Sequence, residues 1–333
     1  MTPELKIGLL GLDTCHAEHF TRLIQQGTVP GGRVTCAFPT PSADLAESRD
    51  RVQGFTGLVR DQFGVRIASS IAEVCEEVDA VMLLALDGRP RLEMMREVLR
   101  HRKPVFMDKP VAASLADAVA IYRLAEEMGV PVMSSSAVRF WPGILDLAAA
   151  EPERPHAALS IGPAHIMAHH PDLFFYGIHP LESLFTVLGP DCVQVSRVTT
   201  ATTSIVTGVW SDGALGTLHA IHEGAKGYQV IRFGRERIAQ TTEISDYEPM
   251  LHQIMRFFQT GRSPVSPRET LAIYAFMQAA DESKARGGQP VTLREVMLAA
   301  NCPEEWLPPA LASSKMPEPT ASKKLPMPGS GDR

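Results

Sequence analysis

Between Lys6 and Ser134 short apolar runs alternate with longer helix-spaced stretches, and this alternation constrains the fold more than any other feature of the chain. Lys6 to Leu12 is an apolar run broken by glycine, Ala17 to Gln26 has helical spacing, and Val34 to Phe38 reads as a second strand. A polar, helix-compatible segment from Ser42 to Arg60 precedes a small strand at Val65-Arg66-Ile67-Ala68. Ser70-Ile71-Ala72-Glu73 has the spacing of a capping box. Val78 to Leu86 is then a continuous apolar run, as expected of a parallel strand covered on both faces. A helix from Arg89 to Arg102, a strand from Pro104 to Met107, a helix from Ser114 to Met128 and a strand from Val130 to Ser134 continue the series. Parallel neighbours need a crossover, so this order predicts a doubly wound α/β sheet.

The pattern changes after Arg139-Phe140-Trp141-Pro142. From His156 to Ile244 the chain carries Thr, Val, Ile and Gly runs, such as Val193 to Ile205 and Gly213 to His222, with one helical interruption near Pro180 to Leu188. This predicts a second α/β domain with a largely antiparallel open sheet. Helical periodicity returns over Pro249 to Gln259 and Pro267 to Arg286, and the second of these is expected to pack back onto the first domain. The predicted domains are residues 1–140 and 141–309, with the Pro-, Ser- and Lys-rich stretch 310–333 expected to be a disordered tail. A chain of 333 residues with 44% hydrophobic content suits two packed domains. Its net charge of -6 argues against nucleic acid or an anionic membrane as partner. Cys15, Cys36, Cys75, Cys192 and Cys302 are an odd number without a CxxC pair, so reduced thiols are expected. The start Met1-Thr2-Pro3-Glu4-Leu5-Lys6 lacks the basic and apolar regions of a secretory leader, and no long apolar run follows, so a cytoplasmic location is expected.

A dinucleotide fold places a glycine-rich turn after its first strand, where backbone amides at a helix N-terminus approach a pyrophosphate. Here the turn is Gly11-Leu12-Asp13-Thr14-Cys15-His16, with Asp13 where the close-approach glycine belongs and His16 where the helix-packing glycine belongs. An Asp13 carboxylate repels a pyrophosphate unless it turns away, whereas Thr14 and the amides of Thr14 to His16 still offer donors. Phe38-Pro39-Thr40-Pro41-Ser42 stands where an acid would hold an adenine ribose, while Thr40, Ser42 and Arg60 leave a 2'-phosphate open. A plain structural reading, with Asp13 and Thr14 only capping the first helix, competes with these.

Taken in order, the strand-turn-helix start, Asp108-Lys109-Pro110, Arg139-Phe140-Trp141-Pro142 and Gly177-x-His179-x-x-Glu182 resemble the glucose-fructose oxidoreductase and inositol dehydrogenase (Gfo/Idh/MocA) family over about residues 5–300. The resemblance implies an N-terminal Rossmann domain, a C-terminal domain that binds substrate and mediates oligomers, and NAD or NADP as cofactor. The family's Glu-Lys-Pro is Asp108-Lys109-Pro110 here. By the same analogy, Lys109 and His179 are catalytic, and Gly11, Leu12, Asp13, Thr14, Cys15, His16, Asp108, Lys109 and Pro110 meet the cofactor. Lys109, His169, Tyr176, His179 and Glu182 meet a sugar, sugar derivative or cyclitol in a homodimer or homotetramer. An aspartate often found four residues before the histidine is Phe175 in this chain. Arg139 is expected to brace the domain junction and Trp141 to pack.

In that scheme a carbinol loses its proton to His179 or Lys109 while its carbon delivers hydride to the nicotinamide. A lysine titrating near 10.4 needs desolvation or a neighbouring cation to act as base, and left protonated it would instead stabilise an alkoxide. His165, His169, His170 and His179, near Asp172 and Glu182, raise the question of a metal, but adjacent His169 and His170 point to opposite faces of an extended strand. No metal ligand is assigned. A redox-neutral or metal-dependent lyase, hydrolase or epimerase, and a non-catalytic ligand-binding homologue, remain as alternatives.

Overall fold

A computed structural model describes residues 4–310; the predicted tail, apart from residue 310, lies outside the described residues. The N-terminal part follows the expected alternation: β1 (Leu5–Leu10), α1 (Cys15–Gln25), β2 (Gly32–Phe38), α2 (Ala46–Arg49), α3 (Val52–Phe63), β3 (Arg66–Ile67), α4 (Ile71–Glu77), β4 (Ala80–Leu83), α5 (Arg91–Val98), β5 (Val105–Met107), α6 (Leu115–Glu127) and β6 (Val132–Ser134). The six strands are all parallel in the order β3-β2-β1-β4-β5-β6, which is the Rossmann order. β4 is buried at every position, the continuous apolar run having helices on both faces. The strand order reverses between β1 and β4, so their C-terminal ends leave a crevice.

The polar, helix-compatible segment from Ser42 to Arg60 holds two helices, α2 and most of α3, separated at Asp50 and Arg51. The four-residue α2 lets the chain turn back over the end of β1 before α3 begins.

The second layer system comprises α7 (Pro142–Ala148), β7 (Ala157–Pro163), α8 (Ile178–Leu188), β8 (Cys192–Thr199), β9 (Thr203–Trp210), β10 (Leu215–Ile221), β11 (Gln229–Phe233), β12 (Ile238–Thr241), α9 (Glu248–Thr260), α10 (Pro267–Ala285), β13 (Val291–Thr292) and α11 (Leu293–Ala299). Its sheet order is β12-β11-β7-β10-β9-β8-β13, antiparallel except for the β7–β10 pair. The run from Val193 to Ile205 spans the turn of the β8–β9 hairpin, where Thr200 N donates to Thr203 O. α8 and α10 cover one face of this sheet, where Val206, Trp210, Leu218 and Ala220 join Leu181, Leu184, Phe185, Phe276 and Ala280 in a core. The other face leaves Val198 and Ile238 exposed.

α10 touches the first unit as expected, its Tyr274 hydroxyl accepting from Val111 N. α9 does so more extensively: Met250, Leu251, Ile254, Met255, Phe257 and Phe258 share a core with Ile7, Leu9, Phe20, Val34, Met82 and Phe106. The part of this face that α1 and α3 leave open is therefore closed by a helix far along the chain.

Candidate active site

The C-terminal ends of the parallel strands carry the chemistry. Gly11 follows β1 with φ +94, and a Cβ there would lie 2.2 Å from Ala85 N, so only glycine lets the two turns meet. Thr14 then caps α1 through its hydroxyl, which accepts from His16 N. β5 delivers Asp108 and Lys109, and β6 leads to Ser136. Arg91, fully buried on α5, donates to the carbonyls of Ala85 and Asp108 and so ties the ends of β4 and β5 together beneath Lys109.

These groups open into a cavity of about 590 Å³, a volume suited to a small ligand. Its walls include Thr14, Cys15 and His16 from the β1–α1 turn, Asp108 and Lys109 from the end of β5, and Ser136 and Trp141 from the junction. His165, Tyr176 and His179 come from the second unit, with Tyr228, Ser245, Asp246 and Tyr247 completing it. Lys109 and His179, 70 residues apart in sequence, thus face one space.

Lys109 is 9% exposed, and its Nζ lies 5.0 Å from the ring centre of Phe175 and 5.4 Å from that of Tyr176. Aromatic faces here supply part of the counter-field that a carboxylate at position 175 would have supplied. Burial pushes the Lys109 ammonium below its usual range, with Asp108 opposing. Burial works to raise the Asp108 carboxyl, but His16, Lys109 and Arg91 hold it below its ordinary value. Its Oδ2 sits 2.5 Å from His16 Nδ1 and its Oδ1 accepts from Lys109 N at 2.9 Å. The His16 ring stacks on Phe20 at 4.9 Å and meets Tyr247 edge-on at 4.7 Å. His16 therefore packs the helix as a glycine would not, and fixes the carboxylate beside Lys109.

His179 Nδ1 is 2.6 Å from Ser136 Oγ. Burial first, then the positive charge of Lys109, His16 and His165, pushes its imidazole well below the usual value, so it is neutral near pH 7. His165 stacks against Tyr176 at 3.8 Å between ring centres, and burial together with Lys226 and Lys109 lowers its titration as well.

Several expected contacts lie elsewhere. Gly11, Leu12 and Asp13 are buried behind the cavity wall, and Pro110 follows a cis peptide outside the lining. Asp13 has turned away from the turn: its carboxylate accepts from Ser48 Oγ at 2.6 Å and from Leu86 N at 3.0 Å. Burial raises its pKa, opposed by those two hydrogen bonds. His169 is exposed with φ +63 and does not line the cavity, because the segment is a turn and not a strand. Its neighbour His170 is buried and accepts from Gly88 N at 3.0 Å. Glu182 is also absent from the wall: it accepts from Arg139 Nε at 2.5 Å and Ser136 N at 3.2 Å. With Glu269 on α10 at 2.7 Å from its Nη1, Arg139 braces the junction. Among the described residues no three His, Cys, Asp or Glu side chains gather as a metal cluster.

A family model described as an oxidoreductase family with an NAD-binding Rossmann fold, Gfo/Idh/MocA, matches residues 6–136. The match is confined to the N-terminal parallel sheet and its helices. Inositol 2-dehydrogenase 2 of Mycolicibacterium vanbaalenii is 26% identical over 136 residues, which is 41% of this chain and 36% of that protein. The alignment thus spans about a third of the relative's length. Beyond the family match, solved structures extend the likeness in fold. Scyllo-inositol dehydrogenase of Lactobacillus casei has a TM-score of 0.73 at 12% identity, covering 88% of this chain and 99% of that one. Myo-inositol dehydrogenase of the same organism, solved with NAD(H) and myo-inositol, has a TM-score of 0.70 at 13% identity, covering 87% and 97%. Among the described residues no helix is long and apolar enough to cross a membrane.

The sequence placed His165 only within the histidine cluster, and Ser136, Tyr228 and the segment from Ile244 to Tyr247 were not singled out. No local pattern marks them. Tyr247 alone left a trace, as an aromatic just before an amphipathic helix.

Proposed function

We propose that the chain is a nicotinamide dinucleotide-dependent oxidoreductase acting on a CH-OH group of a sugar, sugar derivative or cyclitol. The observation that carries this reading is that Lys109 and His179 line one cavity at the C-terminal end of a Rossmann sheet. The likeness to dehydrogenases of inositol, one of them solved with NAD(H) and myo-inositol, supports it.

The residues around the cavity fit the nicotinamide half of such a cofactor. Thr14 to His16 place α1 amides at the wall, where a phosphate is favoured, and Lys109 stands beside them. The adenosine half fits less well, since Leu45, Ser48 and Asp13 are all buried in the crevice beyond the turn. When bound, the nicotinamide ring accepts or returns a hydride.

The protein's own part is proton management and orientation. Burial disfavours charge on Lys109 and on His179, and the Lys109 charge lowers His179 further, so the proton resides on Lys109 ahead of His179. With that proton on Lys109, its ammonium donates to the hydroxyl oxygen and stabilises alkoxide character. Neutral His179, held through Nδ1 by Ser136, presents Nε2 to receive the hydroxyl proton. Tyr176, His165, Tyr228 and Asp246 offer the polar groups that orient a polyol. A homodimer or homotetramer, joined through the exposed face of the second sheet, belongs to the same proposal.

The test is absorbance at the reduced-nicotinamide band with NAD+ and NADP+ across a panel of cyclitols, aldoses and sugar acids. The wild-type reduces one of the two with at least one substrate class, and Lys109→Ala lowers turnover by about 10²–10⁴-fold with folding intact. Unchanged turnover in Lys109→Ala would remove the assignment.

A further inference from the structure

In a Rossmann crevice the pyrophosphate sits at the N-terminus of the first helix, and the adenosine runs from there toward the end of the second strand. In this chain that path is built over by the protein. After β2 the segment 42–48 turns back across the end of β1, and its contacts reach the segments that follow β1 and β4. Ser42 N donates to Ser48 Oγ at 2.8 Å, and Ser48 Oγ donates to Asp13 at 2.6 Å. The other Asp13 oxygen accepts from Leu86 N, beyond β4. Leu45, 1% exposed, packs with Leu86, Met167 and Phe175 in a small core of its own. Arg89 pairs with Asp44 at 2.7 Å and with Asp87 at 2.7 Å, closing the far edge. Ser48 and Asp13 are both fully buried. The two departures from the dinucleotide pattern are thus one device: the aspartate in the glycine slot is the anchor, and the segment lacking the ribose-binding acid is what it anchors.

We propose that residues 42–48 are a built-in occupant of the adenosine end of the crevice, latched by Asp13, so that the cavity as folded accepts a nicotinamide mononucleotide and a dinucleotide binds only by displacing the segment. This rests on the nicotinamide reading above and specifies how that site selects its ligand. Ligand and segment compete for one place, so the adenosine half adds little net affinity, its contacts being offset by those of the displaced segment.

Binding of reduced nicotinamide mononucleotide, NADH and NADPH to the intact chain is measured by fluorescence titration and stopped flow. The dinucleotides bind at most about tenfold more tightly than the mononucleotide, and their observed rate saturates with concentration because opening comes first. Ser48→Ala and Leu45→Ser, each checked by thermal unfolding, tighten dinucleotide binding about tenfold and leave mononucleotide binding unchanged. Dinucleotide binding tighter than the mononucleotide by on the order of a thousandfold, with a rate linear in concentration, overturns the latch and leaves the nicotinamide reading standing. If a variant fails to fold, the wild-type rate law decides alone. Absence of binding by all three ligands in every form removes the nicotinamide reading and the latch with it.

Discussion

Glu182 separates a packing role from a ligand role, and the structure supplies the size of the effect. Burial pushes its carboxyl up while the Arg139 guanidinium opposes. Truncation in Glu182→Ala removes the acceptor of Arg139 Nε and of Ser136 N, both buried. Arg139 Nη2 already lacks a protein partner, so the arginine has no spare contact to fall back on except Glu269. Orphaning two buried donors costs about 1–3 kcal/mol each, and breaking a buried ion pair from one side about 3–5 kcal/mol. The retained Glu269 contact places the expected loss near the lower figure, about 3 kcal/mol. Urea unfolding should report that loss, and the melting temperature should fall by roughly 5–10 °C. The double variant Arg139→Met with Glu182→Leu should recover much of it, since an apolar pair leaves no buried charge uncompensated. A Glu182→Ala protein within about 1 kcal/mol of wild-type would refute the brace, and weakened substrate binding alongside would return Glu182 to the ligand role read from the sequence.

Other outcomes follow from the same structure. Phe175→Leu removes the ring 5.0 Å from Lys109 Nζ, so the lysine titrates lower still and the alkaline limb of the pH–rate profile moves to lower pH; a fixed limb would show that the ring contributes nothing to Lys109. Burial pushes the Asp281 carboxyl up to about 6, opposed by Arg197. The folded state then holds a proton that the unfolded chain has released, so this group withdraws stability as pH rises from about 4 to about 6. Asp281→Asn should abolish that slope in denaturation curves taken across the window, and an unchanged slope would count against the shift. Gly11→Ala should fail to accumulate as folded protein, since its Cβ has no room beside Ala85; a stable, soluble variant on gel filtration would contradict the close approach.

What the sequence made legible divides along physical lines. Strand and helix alternation is a local signal, and it carried the parallel sheet and its crossovers through β6. Lys109 could be read because a proline follows it at a strand end, and His179 because glycine and proline flank it. Asp13 was legible as a departure, but not its direction, which depends on Ser48 and Leu86 from two other segments. The strand argument set His169 against its neighbour His170, whereas the turn at positive φ leaves His169 exposed and His165 lines the cavity. Ser136, Tyr228 and Tyr247 join the wall only after the second sheet has docked, so nothing near them in the chain announces it. Ser42 to Arg60 was legible as helix-compatible, but the break between α2 and α3 was not, because a short polar helix and a continuing one share the same composition.

The docking of α9 has a consequence for how this molecule is made. Leu251, Ile254 and Phe257 are fully buried against strands whose last member ends near residue 134. On the ribosome, the first sheet emerges with the part of one side that α1 and α3 do not cover left bare, and keeps it bare through more than a hundred further residues of synthesis. The nascent chain must hold that surface, or have it held by a chaperone, until Phe258 clears the exit tunnel. A gene cut at the apparent boundary near residue 140 should therefore yield an insoluble fragment, and rescue should come from supplying the α9 segment and not from a better linker.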